Sequence, residues 1–265
     1  MEKFRFKKRF GQNFLKSSFF PSRIAQSLSL NEDDTVVEIG PGRGALTSQI
    51  YGKVKRLIII EIDVELIEFL KNTFPETEIV NEDVMRFDPK SHGLTELGYK
   101  LTGSLPYNIS KRIISKFLTE KVRPSVMSVL IQKEVADDYA STSPKAAFLG
   151  NYSRIYSDVE LISKVPKEEF HPTPKVDGSI LKFELKGNVE NDSENLARFI
   201  KTGYSSPRKK LLSNLSNSYK IEKELLKVIF NKLNLSENFR PAELKFEEWS
   251  KLYQSLKKQK PGSLK

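Results

Sequence analysis

The chain has 265 residues and carries 44 Lys and Arg against 34 Asp and Glu, a formal net charge of +10. That length accommodates one well-buried domain plus a smaller second one, and a basic surplus of that size favours a polyanionic partner, nucleic acid being the usual one, over a protein that is merely basic. With no cysteine in the sequence, disulfides, thiolate metal sites and cysteine nucleophiles are excluded; no apolar run approaches the roughly 18–20 residues that span a bilayer, and the basic, aromatic N-terminus lacks the apolar stretch of a secretory signal, so the expectation is a cytoplasmic protein with no membrane partner.

Short, β-branched segments at 35–39 and 57–62 read as buried strands, each followed by a helix, at 45–51 and 64–72. A short apolar run at 78–80 and segments 100–103, 125–132, 158–165 and 179–185 are further strands, with helices at 109–120 and 133–140. This alternation implies crossover units and a parallel or mostly parallel sheet. At 186–194 a polar stretch containing Gly187, Asn188, Asn191, Asp192 and Ser193 reads as a linker. Beyond it strand signals stop, and 196–204, 209–217, 223–233 and 246–257 have helical spacing. The expected organisation is an α/β domain over 1–186 with a basic N-terminal arm, and a helical domain over 187–265 that ends in a frayed basic tail.

The strongest local signal is Val37-Glu38-Ile39-Gly40-Pro41-Gly42-Arg43-Gly44-Ala45, a buried strand running into three glycines within five residues and then a helix. Glycines let the backbone turn sharply and approach a ligand closely, and the helix behind offers free N–H groups. The next strand ends in Glu61 and Asp63. In a doubly wound sheet adjacent strand ends form the ligand crevice, where a carboxylate accepts from the hydroxyls of a ribose. Gly40, Gly42 and Ala45 also satisfy the dinucleotide fingerprint G-x-G-x-x-G/A, with Glu61 near its acid position, and a tight turn without ligand is the third alternative. Asn81-Glu82-Asp83 follows the third strand. Asp83 there is either a loop residue or an acceptor for an adenine amine. Glycine loop, ribose acid and adenine acid together describe a nucleoside with a short charged tail.

The segment Gly103-Ser104-Leu105-Pro106-Tyr107-Asn108-Ile109-Ser110 follows another strand and fits the pattern [Asn/Asp/Ser]-x-Pro-[aromatic] used by methyltransferases of exocyclic amines. The adenine N6 lone pair is delocalised into the ring and is a poor nucleophile. Acceptors aimed at its two N–H groups, here the Ser104 hydroxyl and the Leu105 carbonyl, pull it towards tetrahedral geometry. Pro106 fixes the turn and brings no competing donor, and Tyr107 can stack on a base taken out of its helix. The alternative is an ordinary turn with a buried Tyr. His92 and His171 are the only histidines and have no metal-ligand spacing, so no metal is expected.

Several motifs in order resemble the rRNA adenine N6-dimethyltransferases: Arg9-Phe10-Gly11-Gln12-Asn13-Phe14-Leu15, the glycine loop, Asn81–Asp83, Ser104–Ser110, Ile131-Gln132-Lys133-Glu134-Val135, Phe170-His171-Pro172-Thr173-Pro174-Lys175-Val176-Asp177, and Ser205-Ser206-Pro207-Arg208-Lys209-Lys210. The resemblance implies a seven-stranded, Rossmann-like class I methyltransferase domain with a small C-terminal α-helical domain that recognises RNA or the ribosome. It implies S-adenosyl-L-methionine as cofactor, contacted by Asn13, Leu15, Gly40, Gly42, Glu61, Asp83 and Ser104, and a target adenine held between Tyr107 and Phe170. The family has a KsgA type, which dimethylates adenosines of small-subunit rRNA, and an Erm type, which modifies large-subunit rRNA; the Gln-Lys-Glu-Val and Ser-Pro-Arg-Lys-Lys runs are closer to the first. The implied partner is immature small-subunit rRNA, met by a monomer. Where the family has Asn at position 104 this chain has Ser, whose acceptor reaches one atom less far.

Lys7, Lys8 and Arg9 alternate with aromatics, Lys111 and Arg112 follow the proline turn, and Arg208, Lys209 and Lys210 form a further cluster. Each suits RNA phosphates and stacking or is a solvated surface. Three functions compete: the methyltransferase, an NAD-linked oxidoreductase suggested by the glycines alone, and an inactive ribosome-assembly factor suggested by Ser104.

Overall fold

The structure is a computed structural model and describes residues 14–259. It divides into two compact units, Met1–Ala136 with Asp158–Gly187, and Asp137–Ser157 with Asn188–Lys265.

The first unit is built on a sheet of seven strands: β2 (Thr35–Ile39), β3 (Arg56–Ile60), β4 (Glu78–Val80), β5 (Lys100–Ser104), β6 (Val126–Gln132), β7 (Ser157–Val165) and β9 (Gly178–Leu185), in the order β4-β3-β2-β5-β6-β9-β7. The strands from β4 to β6 are parallel, and β9 runs antiparallel to β6. β2 and β3 are Val- and Ile-rich because both faces of the central strands are covered, and the helices α1 (Phe19–Ser27), α2 (Thr47–Ile50), α3 (Val64–Thr73) and α4 (Ser110–Thr119) supply the cover. Ile24 of α1, Ile50 of α2, Val36, Ile59, Leu130 and Ile180 form one buried cluster. Leu66, Leu70 and Phe74 form another, with Leu66 and Leu70 four apart on one side of α3.

A separate two-stranded ladder joins distant parts of the chain. β1 (Phe14–Leu15) pairs antiparallel with β8 (Phe170–His171), with Leu15 opposite Phe170. The Lys16 N–H donates to the Glu169 carbonyl at 2.8 Å and extends the ladder. Two sequence expectations change in this unit. α1 is a helix over residues for which no element was expected. The helix expected from residue 45 begins at Thr47, because Gly40, Gly42 and Gly44 all take left-handed backbone angles and the chain needs the intervening residues to finish turning.

The helix α5 (Lys133–Ala140) follows β6, and the second unit gathers α6 (Phe148–Ser153), α7 (Ser193–Gly203), α8 (Leu211–Tyr219), α9 (Lys223–Lys232) and α10 (Phe246–Gln259) around aromatic rings. Trp249 is fully buried, stacks on Tyr204 with ring centroids 5.8 Å apart, and meets Phe199 edge-on. The expected boundary lies at 186/187; the main segment of this unit runs from Asn188, and the excursion 137–157 also joins these helices. Asn151 Nδ2 donates to the Tyr204 hydroxyl at 2.9 Å, that hydroxyl donates to the Ala146 carbonyl at 2.7 Å, and Ser143 Oγ donates to the Glu243 carbonyl at 2.7 Å. The sequence could not reveal this, since the partners lie 53, 58 and 100 residues apart. Asp192 ties the start of α7 to α10. It accepts from Asn195 at 2.6 Å, from Lys257 at 2.5 Å and from the Tyr253 hydroxyl, and these donors hold its carboxyl at about 2.

At Gly103 the backbone of β5 crosses so close to β2 that a Cβ would run into the Ile39 carbonyl oxygen and press on the Ile39 side chain. The backbone cannot give way without breaking the parallel register of Ile39 with Gly103. Gly103→Ala is expected to cost on the order of 3 kcal/mol, seen as a lowered midpoint in urea unfolding of the whole chain; an unchanged midpoint would refute the close approach.

Candidate active site

β3 and β5 lie on opposite sides of β2, so the strand order reverses there, and a doubly wound sheet opens its ligand crevice at such a point. The ladder continues past the strand ends: Gly40 N–H donates to the Ile60 carbonyl at 2.9 Å, Glu61 N–H to the Val80 carbonyl at 3.0 Å, and Leu105 N–H to the Leu130 carbonyl at 2.9 Å. The glycine loop, Glu61, Asp83 and the Ser104–Tyr107 turn are thereby set side by side. They line one cavity of about 480 Å³, within the roughly 300–1,000 Å³ range of small-molecule sites.

Leu15, Gly40, Gly42, Glu61, Asp83, Ser104, Leu105, Pro106, Tyr107 and Phe170, each singled out in the sequence, all line this cavity. Asn13, Lys7, Lys8 and Arg9 lie outside the described residues. Gly42 faces the Phe14 ring at the position a Cβ would occupy, whereas a Cβ on Gly40 would meet no protein atom within 4 Å. The space in front of Gly40 is thus left for a ligand, and the β1–β8 ladder closes one side of it with Phe14, Leu15 and Phe170.

The acids are held unusually. Glu61 is 5% exposed, and its Oε1 accepts from the Asp63 N–H at 2.8 Å. Burial raises its pKa, and the N–H groups of Asp63, Ile62 and Gly42 oppose that rise. Asn81 Nδ2 donates to the Glu61 carbonyl at 2.7 Å, fixing the loop that carries Asp83. Asp83 Oδ1 accepts from the Met85 N–H at 2.9 Å, an Asx turn that aims the carboxyl.

Glu38 also lines the cavity and was not singled out in the sequence. It is 1% exposed, and neither its Oε2 nor the neighbouring Thr47 hydroxyl completes a hydrogen bond. Burial, aided by the charge of Glu61 and opposed by Thr47, pushes its pKa up to about 8. The available signal was a lone acid inside an apolar strand. Asn108 and Ile109 are further lining residues outside the sequence expectation.

Tyr107 presents its ring to the cavity while its hydroxyl is buried without a hydrogen-bond partner. Burial, with the charge of Asp177 adding to it, pushes the phenol up to about 12. It stays neutral near pH 7, so it serves as an aromatic wall rather than a base. Phe170 is 1% exposed and anchored in the core cluster of Ile24 and Leu130.

Lys111 and Arg112 are exposed in the first turn of α4, which contains no acid. Cations there oppose the helix dipole, so helix stability does not explain them. In the helical unit Arg208, Lys209 and Lys210 are exposed, and Lys210 Nζ donates to Asn238 Oδ1 at 2.6 Å. Among the described residues there is no group of three or more potential metal ligands, and no helix is long and apolar enough to cross a membrane.

A dimethyladenosine transferase from Plasmodium falciparum has a similar structure, with a TM-score of 0.80 at 21% identity over 93% of this chain and 98% of that one. The 23S rRNA methyltransferase ErmE gives 0.76 at 22% identity over 92% and 99%. The fold is that of a Rossmann-like methyltransferase. In sequence, ribosomal RNA small subunit methyltransferase A of Malacoplasma penetrans (strain HF-2) is 34% identical over 254 residues, 94% of this chain and 92% of that protein. The protein of the same name from Alkaliphilus oremlandii (strain OhILAs) is 35% identical over 271 residues, 96% and 93%. The family described as ribosomal RNA adenine dimethylase matches residues 3–258. The chain belongs to that family and is an rRNA adenine dimethyltransferase.

The buried carboxyl of Glu38 has a measurable signature. Its proton is held more tightly in the folded chain than in the unfolded one, where the pKa is near 4.5, so its contribution to stability is complete below that value and is lost as pH rises through about 8. The ligand-free protein should therefore unfold at lower denaturant concentration at pH 9 than at pH 6, and Glu38→Gln should flatten that difference. Equal pH slopes in the two proteins would show that Glu38 is ionised.

Proposed function

We propose that the protein transfers methyl groups from S-adenosyl-L-methionine to N6 of adenine in small-subunit rRNA, giving N6,N6-dimethyladenine during ribosome assembly in the cytoplasm. The observation that carries the reading is the single cavity in which a glycine loop, Glu61 and Asp83 stand beside the Ser104–Tyr107 turn. The small-subunit choice rests on the similarity to the small-subunit methyltransferases of Malacoplasma penetrans and Alkaliphilus oremlandii.

The residues fit the cofactor. Open space at Gly40 and an unpartnered carboxyl oxygen on Glu38 suit a nucleoside with a positively charged tail. Glu61 accepts from the ribose hydroxyls, Asp83 from the adenine amine, and the Gly40–Gly42 backbone and Leu15 take the tail, with Asn13 added from outside the described residues. Bound there, the cofactor supplies a methyl on a sulfonium, which needs no metal.

The chain's own work is positioning, which is worth several kcal/mol when the reacting atoms are held in line. Tyr107 and Phe170 hold the extruded adenine between two rings. The Ser104 hydroxyl and Leu105 carbonyl accept from its N6–H groups and free the lone pair, and Pro106 sets the angle between them. Lys111 and Arg112 bind the RNA backbone beside the cavity. Arg208, Lys209 and Lys210 do so on the helical unit, and Lys7, Lys8 and Arg9 on the N-terminal arm. The protein acts as a monomer.

Incubation with labelled cofactor and separated ribosomal subunits should place label in small-subunit adenines. Label in the large subunit, or cofactor binding with no transfer to immature small subunits, would overturn the proposal. Ser104→Ala should lower turnover about tenfold; full activity would remove Ser104 from the amine site. Neutralising Arg208, Lys209 and Lys210 together should weaken subunit binding and flatten its dependence on salt by up to about three counterions. A wild-type affinity indifferent to salt would exclude phosphate contacts.

A further inference from the structure

Among the described residues that line the cavity, Glu38, Glu61, Glu82 and Asp83 are acids, and Arg43 is the one cation. We infer that Arg43 is the counter-ion for the carboxylate in the amino-acid tail of the methyl donor. The inference rests on the proposed donor, which carries an ammonium, a sulfonium and a carboxylate on one short chain. The two positive groups suit an acid-lined cavity. The carboxylate does not, and needs a positive charge within reach.

Strand order says where that carboxylate lies. The strands run β4-β3-β2-β5. Asp83 and Glu61 stand at the ends of β4 and β3 and take the nucleoside. The Ser104–Tyr107 turn stands at the end of β5, where the methyl must arrive. The sulfur lies between these groups, so the tail that branches from it passes over the end of β2, which is the loop carrying Arg43.

That loop is preset. Arg43 sits between Gly42 and Gly44, whose φ angles are +58° and +81°, and Gly42 is covered by the Phe14 ring. The Gly44 N–H donates to the Pro41 carbonyl at 2.9 Å, and this turn sets the direction in which the Arg43 side chain leaves the backbone. The side chain is exposed at the cavity edge. A guanidinium is planar, stays charged at every working pH, and offers paired N–H groups that match a carboxylate. Loop N–H groups can share the tail, but they bring partial charges only.

The test compares three ligands by calorimetry on the whole chain: S-adenosylhomocysteine, which keeps the carboxylate; decarboxylated S-adenosylmethionine, which lacks that group and carries the methyl on a sulfonium; and 5′-methylthioadenosine, which lacks the amino-acid tail. Arg43→Ala should weaken S-adenosylhomocysteine about tenfold, or about 1.4 kcal/mol, and leave the other two within about twofold. Arg43→Lys should recover part of the loss, and added salt should weaken wild type towards the Ala variant. Matched thermal melts establish that the variants are folded. Equal weakening of all three ligands would make Arg43 a structural residue and overturn the inference. So would unchanged S-adenosylhomocysteine affinity with weakened RNA binding, which places Arg43 on the RNA backbone instead. A wild-type protein that binds none of the three ligands would overturn the donor assignment itself, a failure distinct from failure of the Arg43 variants.

Discussion

The reversal of strand order at β2 governs the rest of the structure. With β3 on one side and β5 on the other, three parallel strand ends meet where no crossover helix can cover them. Ladder hydrogen bonds run one residue beyond each strand, so residues distant in sequence acquire fixed neighbours without any side-chain packing between them. Gly103 tightens this arrangement, because only a residue without Cβ lets β5 approach the Ile39 carbonyl. The amine-side turn and the cofactor-side loop are therefore held at one separation by the backbone ladder.

The side of the cavity away from the sheet is made differently. The two-residue ladder between Phe14–Leu15 and Phe170–His171 has little stability of its own. It is held because Phe170 is buried in the main core cluster, the Phe14 ring occupies the face of Gly42, and Ser17 Oγ donates to Glu169 Oε2 at 3.0 Å. A rigid floor and a wall closed by short contacts suit an enzyme that must position a methyl donor closely and also admit a base from a large RNA.

What could be read from the sequence follows the same division. Gly40, Glu61, Asp83, Ser104 and Tyr107 announce themselves because each stands at the end of a strand or within three residues of it, and strand ends are visible as β-branched runs stopping at Gly, Asp or Pro. Leu15 and Phe170 came only from family resemblance. They reach the cavity through a pairing between segments about 155 residues apart, joined by two residues on each side, and no local periodicity marks so short a ladder. Glu38 was hidden for the opposite reason, since a strand of β-branched residues is expected to be buried and one acid within it reads as an exception. The excursion 137–157 was assigned with its sequence neighbours because its ties to Tyr204 and Glu243 are polar contacts at long range.

The electrostatics of the cavity suit the cationic guest of the proposed function. Burying a carboxyl group costs several kcal/mol unless it is paired or neutral, and Glu38 is kept neutral by holding its proton up to about pH 8. A protein selected for stability alone would place Val or Leu there at no such cost. The acid is useful if a positive charge arrives beside it, because in a water-poor site the attraction is far stronger than in solvent. On the proposed function, a cationic donor beside Glu38 would lower the pKa that burial raised. A neutral acid in the empty site avoids lasting repulsion from Glu61 in the ligand-free protein. On the proposed function, the preference for a sulfonium thus resides in the central strand of the sheet, and the proline turn is left to select the amine.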